Sequence, residues 1–334
     1  MNYTPPFTIT SKILSQVSDI VELLTDIKHI QSNLNTPTLR KKNRIRSITG
    51  TLQIEGNSFT CEKITDVIDG KRVLGTTREL AEVQGAIKAY DSLESFNYKE
   101  IKDLLTSHKM LMNELLNNAG NFRNGDVGIY GEDGVSHVAP PANLIHNLMR
   151  ELFEWLKTTK EHPLIVSCIF HYEFEFIHPF SDGNGRVGRL WQTVILNHYK
   201  NIFSYLPIES IVKENQAKYY KALEDSGSLG ESTPFIEFML DIILKTLNEI
   251  QKENIPISAQ QNAQQNAQQI LNEINKNKYI TIKELSDICK IGTRTIQKKI
   301  NDLKEQNIIK RVGANKGGHW EIIKMNNENK GKIK

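Results

Sequence analysis

The sequence predicts a mainly α-helical chain: a helical body, then a small α+β module. Three observations predict this. Up to residue 250, long stretches carry apolar side chains at three- and four-residue spacing, the period of a helix buried on one face. Ala259–Gln269 then reads AQQNAQQNAQQ, a low-complexity tract with almost nothing to bury, which reads as a linker or a solvated helix extension. Beyond it the rhythm shortens to brief helical stretches and two β-prone pieces around a glycine-rich run. The expected boundaries are a body over 1–255, a linker over 256–269, the module over 270–324 and a basic tail over 325–334.

The elements follow in order. Apolar spacing predicts helices over Ile13–Ile30, Arg78–Ser95, Lys99–Leu116, Ala142–Thr159 and Phe235–Gln251. A further helix, about 42–55, has Ile45, Ile48 and Leu52 on its inner face, with Gly56 as its natural C-terminal cap. Asp126–Val138 breaks the pattern: β-prone pieces flank Gly131-Glu132-Asp133-Gly134, which predicts a β-hairpin ended by Pro140-Pro141. Pro163 suits the first turn of a helix. From Leu164 to Ile177 that helix is apolar almost all round and belongs at the centre of the body. A partner helix over Arg186–Lys200 turns Val187, Leu190, Trp191, Val194 and Ile195 inward. In the module, helices over about 268–276, Ile282–Cys289 and Thr293–Asn307 precede strands at Ile308–Val312 and Trp320–Ile323.

Length and composition bound the function. At roughly 100–200 residues per domain, 334 residues predict two domains. No apolar run approaches the ~20 residues of a membrane span, and the N-terminus lacks a signal-peptide pattern. Three scattered cysteines make neither a disulfide framework nor a metal site, so a reducing cytoplasm is expected. The net charge of +3 conceals a split. Residues 267–334 hold 15 Lys/Arg against seven Asp/Glu; the remainder holds 27 against 32. A basic module on an acidic body points to nucleic acid on the basic side.

The chemistry-bearing stretch follows the buried helix: His178-Pro179-Phe180-Ser181-Asp182-Gly183-Asn184-Gly185-Arg186-Val187-Gly188-Arg189. Pro179 disfavours the α conformation at His178 and ends the helix there. Gly183-Asn184-Gly185 allows successive N–H groups to form an anion nest at the start of the next helix. Arg186 and Arg189 sit in its first turns, where cations are unfavourable unless an anion is present. A histidine, a carboxylate, a nest and two arginines suit a nucleotide polyphosphate with a divalent metal, and supply a general base. Other readings fit less well. The GxGxxG pattern at Gly183 follows a helix, not a strand. An EF-hand from Asp182 fails at Val187 and Thr193. His171, Glu175 and His178 share a helical spacing, but a packed helix with a hydrogen-bonded His171 accounts for it better. His108, His146, His162 and His319 have no comparable company and read as surface or satisfied core residues.

HPFSDGNGRVGR matches every position of the HPFx[D/E]GNGRxxR signature of Fic-domain proteins, commonly AMP-transferases, and the chain resembles that family over roughly residues 40–245. Phe122-Arg123 before the hairpin, Pro140-Pro141 after it and Tyr219-Tyr220 downstream add to the likeness. The resemblance implies a Fic-type helical bundle with a catalytic core about 100–230 and a β-hairpin flap that aligns the target segment. It implies that His178 is the catalytic base and that Asp182 holds Mg²⁺. Gly183, Asn184 and Gly185 would form the phosphate cradle, with Arg186 and Arg189 as phosphate-binding arginines. Tyr220, less surely Tyr219, would lie near the adenine. ATP would be the substrate and a Tyr, Ser or Thr hydroxyl of a target protein, or of the chain itself, the acceptor. Removal of AMP or transfer of another phosphate-containing group at the same site are the alternatives. A homodimer is implied by resemblance alone.

Thr51-Leu52-Gln53-Ile54-Glu55-Gly56-Asn57 refines this. Glu55 lies at the wrong end of its helix for an anion, which fits either a remote positive partner or a solvated glutamate tolerated at a small cost. The run resembles the family's inhibitory motif [S/T]xxxE[G/N], which implies that Glu55 pairs with Arg189 and blocks ATP. The C-terminal pattern resembles a winged helix-turn-helix domain, with Arg294, Lys298 and Lys299 on the recognition helix and Lys310, Arg311 and Lys316 near the wing. DNA is a candidate partner, with protein contact or a merely solvated basic surface as the alternatives. A DNA-binding regulator with a sensory nucleotide site is the remaining reading of the whole chain.

Overall fold

Two buried helices meeting at a short loop organise the larger of two units. The structure, a computed structural model, describes residues 3–34, 37–131, 134–253, 257–313 and 318–323; over 27–34, 129–131, 134–138, 253 and 257–266 the backbone alone is described. The chain divides into Met1–Asn254 and Ile255–Lys334. In the first unit α1 (Ser11–Leu34) is followed by α2 (Pro37–Ile54), α3 (Cys61–Ile68), α4 (Thr77–Asp91) and α5 (Ile101–Met112). The hairpin β1 (Gly128–Gly131) and β2 (Gly134–Val138) comes next, then α6 (Ile145–Thr158), α7 (Pro163–Ile177) and α8 (Asn184–Tyr199). The unit closes with α9 (Ile208–Glu214), α10 (Gln216–Leu229) and α11 (Thr233–Glu253). The second unit holds α12 (Ile257–Lys276), α13 (Ile282–Cys289), α14 (Thr293–Glu305), β3 (Ile309–Val312) and β4 (His319–Ile322).

Local chemistry sets several helix starts. Thr60 caps α3, and Thr76 with Glu79 closes a full capping box on α4. His162 caps α7 with Pro163 at its first position, as proline's missing N–H allows. Leu164, Ile169, Phe170 and Phe174 on α7 and Leu190, Trp191, Val194 and Leu196 on α8 are fully buried. Each such side chain contributes about 1.5–3 kcal/mol of transfer free energy. Around this pair α6, α5 and α11 supply the remaining apolar surface.

Helix α2 crosses α9 at unusually close range. A Cβ on Gly50 would lie 2.5 Å from the Glu209 carbonyl carbon, so only glycine fits. Beside the crossing, the buried Glu209 carboxylate accepts bonds from Ser47 (2.8 Å), Tyr90 (2.9 Å) and Thr193 (3.2 Å). Burial pushes its pKa upward. At its end α2 forms a Schellman cap: the Asn57 N–H reaches the Leu52 carbonyl, the Gly56 N–H reaches Gln53, and Gly56 has φ +88°.

Helix ends differ from the sequence expectations by a few residues. Helix α8 starts at Asn184 rather than Arg186, so Asn184 and Gly185 belong to its first turn. Helix α2 ends at Ile54, placing Glu55 in the cap itself. The tract expected as a linker over 256–269 is helical from Ile257, continuous with the helix expected at 268–276. Alanine and glutamine are good helix formers, so composition poor in apolar residues did not preclude regular backbone. The turn residues Glu132 and Asp133, the wing residue Lys316 and the tail 325–334 lie outside the described residues.

In the second unit, Thr281 and Glu284 close a capping box on α13, and α13 and α14 form a helix-turn-helix around Lys290-Ile291-Gly292. Strands β3 and β4 pair antiparallel as a two-stranded wing. Ile270, Ile274, Leu285, Ile296, Ile300, Ile309 and Trp320 share one core. The Trp320 indole N–H donates to the Ile280 carbonyl at 3.1 Å, tying the wing to the helices.

Candidate active site

The loop between α7 and α8 is shaped by groups far away in sequence. His178 caps α7 in the left-handed region, φ 50° and ψ 60°. The proline that follows disfavours the right-handed α conformation, and histidine tolerates the left-handed one better than most residues do. Arg123, almost fully buried, fixes the result. Its Nε donates to the His178 carbonyl at 2.7 Å, Nη1 to Gly125 at 2.9 Å and Nη2 to Pro140 at 2.5 Å. Its own N–H donates to Pro179 at 2.9 Å. One side chain therefore ties the histidine to both feet of the β-hairpin. The His178 Nδ1 lies 3.3 Å from the Glu175 carbonyl; an N–H must donate there, which leaves Nε2 as the basic nitrogen.

His108 holds the other side of the loop. Its Nδ1 accepts from the Gly120 N–H at 2.8 Å, so Nε2 carries the proton and donates to the Asp182 carbonyl at 3.0 Å. The ring stacks on Phe180 with centroids 3.7 Å apart. Burial pushes its pKa down to about 4, and the ring stays neutral. Neither Arg123 nor His108 was assigned a role from sequence. Their signal was weak, since each acts through main-chain carbonyls that no motif records.

The nest residues divide their work. Gly183 takes φ +86° at the head of α8, and an added Cβ would meet the Met112 sulfur at 2.8 Å. The Asn184 amide is spent on Phe180, accepting from its N–H and donating to its carbonyl, both at 2.9 Å. Asn184 therefore braces the loop with its side chain, and its N–H is what remains for an anion. The N–H groups of Asn184, Gly185 and Arg186 precede the first intrahelical bond, made by Val187 to Gly183 at 3.1 Å. They form an anion-binding helix start.

The charged groups close on this cradle. Asp182 Oδ1 accepts from the Gly183 N–H at 2.6 Å and from Arg186 Nη2 at 3.1 Å. The Arg186 side chain is 2% exposed; its Nε has no hydrogen-bond partner among the described residues, and its Nη1 makes a 3.5 Å ion contact with Glu82 Oε1 but no hydrogen bond there. Buried donors without hydrogen bonds beside a helix N-terminus fit a phosphate, and an adjoining carboxylate fits a hard divalent cation. The Arg189 side chain, also 2% exposed, donates through Nε to the Thr51 hydroxyl at 3.0 Å and through Nη2 to the Thr51 carbonyl at 3.3 Å. Its Nη2 also pairs with Glu55 Oε1 at 2.6 Å. Burial by itself would lower the Arg189 pKa; Glu55, Tyr219 and Glu175 outweigh it, and the net shift is upward. Glu55 lies over the cradle itself, since a Cβ on Gly185 would be 2.5 Å from its Oε1.

Behind Arg189 sits a buried polar row. His171 donates from Nδ1 to Gln192 Oε1 at 2.7 Å, and its Nε2 accepts from the Tyr219 hydroxyl at 3.0 Å. Burial pushes its pKa down to about 3. Tyr219 is thus a core residue, while Tyr220 is half exposed, with its hydroxyl 3.4 Å from Gln216 Nε2. No group of three or more metal-ligating side chains occurs among the described residues, and His171 is spoken for by Gln192 and Tyr219. Among those residues no helix is long and apolar enough to cross a membrane.

Residues 98–196 match the Fic/DOC family, and residues 267–315 match the DeoR-like helix-turn-helix domain. The chain is 25% identical over 298 residues to a protein adenylyltransferase Fic of Aedes aegypti, covering 84% of this chain and 56% of that one. It is 30% identical over 220 residues to the protein of the same name from Drosophila ananassae, covering 63% and 42%. The chain thus spans about half the length of the curated relatives it matches. A solved Fic family protein from Desulfovibrio desulfuricans G20 is 38% identical, covers 97% of this chain and 99% of its own, and superposes with a TM-score of 0.73. A match of that identity over nearly both full lengths makes this chain a member of the Fic family.

Proposed function

We propose that the chain transfers AMP from ATP to a hydroxyl group of a protein, and that Glu55 keeps its resting state closed. The observation that carries this reading is the 2.6 Å pair between Glu55 and a buried Arg189, with the carboxylate lying over Gly185. A buried guanidinium demands an anion, and the site supplies one from its own chain until a phosphate replaces it.

The chain's groups then divide the reaction. The α8 N–H groups and Arg186 hold the α- and β-phosphates, and Arg189, once released from Glu55, holds the γ-phosphate. Tyr220 lines the adenine side. Asp182 would hold Mg²⁺, which supplies charge neutralisation across the α- and β-phosphates. The hairpin aligns the acceptor segment by pairing with it as a further strand. The acceptor hydroxyl oxygen attacks the α-phosphorus while its proton passes to His178 Nε2. The bond to the β-phosphate oxygen breaks in line and pyrophosphate leaves.

Labelling with ATP carrying ³²P at the α-position tests this in the wild-type chain, Glu55→Gly, and Glu55→Gly with His178→Ala. Weak labelling in the first, strong in the second and none in the third is expected. Absence of label in both the wild type and Glu55→Gly overturns AMP transfer. Equal labelling of those two overturns inhibition by Glu55.

For the second unit we propose duplex DNA as partner. Helix α14 exposes Arg294 and Lys298, whereas Lys299 is half-buried beside Asp302, Lys310 pairs with Glu321 at 2.9 Å, and Arg311 lies over the Trp320 ring at 4.6 Å. Exposed cations on the second helix of such a motif meet phosphate and base edges. Full-chain binding to duplex DNA that weakens steeply with salt, and weakens again with Lys298→Ala, is expected. No binding at low salt overturns it.

A further inference from the structure

Arg78 occupies the first turn of α4, outside the signature loop, yet reaches into it. Its side chain is 65% exposed and still doubly held. Nε donates to Glu82 Oε1 at 3.2 Å and Nη2 to Asp182 Oδ2 at 3.3 Å. The two oxygens of Asp182 are differently employed. Oδ1 serves its own loop, through the Gly183 N–H and Arg186. Oδ2 is held by Arg78, its partner among the described residues. Glu82 completes a ring, with Arg186 Nη1 3.5 Å from its Oε1 and Asn57 donating to its Oε2 at 2.9 Å.

The ring of Arg78, Asp182, Arg186 and Glu82 is electrically balanced, two charges of each sign. A dication arriving at Asp182 upsets that balance, and one cation must withdraw. Arg186 is closed in at 2% exposure; Arg78 is on the surface and free to swing into water. The Asp182 side chain, 38% exposed, offers Oδ2 to whichever cation approaches from that side.

We propose that Arg78 is a built-in counter-cation for Asp182, competing with the divalent metal for Oδ2. This deepens the nucleotide reading of the site and rests on it. Two opposite consequences follow. Without metal, Arg78 masks the Asp182 charge and lets a bare triphosphate approach. With metal, Arg78 is a competitor to be displaced. Removing it should weaken metal-free nucleotide binding and strengthen metal-loaded binding. Exposed ion pairs of this kind are weak, so each change should be about two- to fivefold.

The test is binding, not turnover. An α,β-methylene analogue of ATP, which cannot donate AMP, is titrated calorimetrically into the full chain carrying Glu55→Gly, with and without Arg78→Ala, once in EDTA and once in Mn²⁺. Bound Mn²⁺ is followed in parallel by electron paramagnetic resonance. Arg78→Ala should lower affinity in EDTA and raise it in Mn²⁺, with Arg78→Lys between the two. A loss of equal size in both solutions overturns the proposal and makes Arg78 a phosphate contact. No change in either also overturns it, the pair then being incidental. Failure of Glu55→Gly alone to bind the analogue in either solution overturns the nucleotide reading, and the role of Arg78 with it.

Discussion

Replacing Gly50 by alanine tests whether the position of α2 controls the site. On helix propensity alone the change should stabilise the protein by about 0.8–1 kcal/mol, since Gly50 is a helix-interior residue. The structure requires the opposite. The new Cβ would sit 2.5 Å from the Glu209 carbonyl carbon and 2.6 Å from both its oxygen and the Ser210 nitrogen. These are backbone atoms of α9 and cannot rotate away. Ordinary contact begins near 3.5 Å, so α2 must retreat by about 1 Å, and overpacking of this kind costs about 1–3 kcal/mol. Glu55 lies five residues further on, about 7.5 Å along the same rigid helix. A 1 Å shift would stretch its 2.6 Å contact with Arg189 beyond hydrogen-bond range. A charge-assisted bond contributes about 1.5–3 kcal/mol, so losing it should tighten binding of an ATP analogue by about tenfold or more. Urea unfolding and calorimetric titration of the full chain read the two effects separately. A Gly50→Ala chain as stable as the wild type would refute the close crossing. A destabilised chain with unchanged nucleotide affinity would refute the coupling of α2 to the site.

Further predictions concern the buried groups. Burial pushes the Glu175 carboxyl to about 8, with Arg189 opposing and Glu55 adding to the rise. The folded state then keeps a proton that the unfolded chain releases from about pH 4.5 upward. Stability should therefore fall with rising pH between 4.5 and 8, by at most about 1.4 kcal/mol per pH unit. Glu175→Gln should flatten that slope in denaturation curves; an unchanged slope removes Glu175 as its source. Arg123→Met leaves the His178, Gly125 and Pro140 carbonyls without their donor. It should cost about 2–4 kcal/mol of stability and lower AMP transfer in the Glu55→Gly background, and retained transfer would show that the hairpin needs no such anchor. Gly183→Ala combines a φ of +86° with a contact at 2.8 Å to the Met112 sulfur. It should destabilise by about 1–3 kcal/mol in thermal unfolding, and a stability within 0.5 kcal/mol of wild type would contradict that strain.

Much of the fold was legible because its signals are local. The apolar period of Leu164–Ile177, the proline at 163 and the glycine at 56 each act within one or two turns of helix. The Gln/Asn tract has little to bury, which left a linker and a solvated helix extension both open, and it is helical from Ile257. His108 looked unremarkable because its partners, the amide of Gly120 and the carbonyl of Asp182, are main-chain groups that any residue carries.

By itself the sequence determined the signature loop, its histidine, its nest and its arginines, because their order along the chain is their chemistry. Its likeness to the family's inhibitory motif also singled out Glu55, which helix position alone left readable as a solvated glutamate. Tertiary structure decided what meets that loop. Glu55 reaches Arg189 across 134 residues, Arg78 reaches Asp182 across 104, His108 across 74, and Arg123 reaches His178 across 55. Contacts at such separations depend on how helices pack, and helix packing is fixed by volume and close approach, as at Gly50 against Glu209. No spacing rule in the chain encodes them.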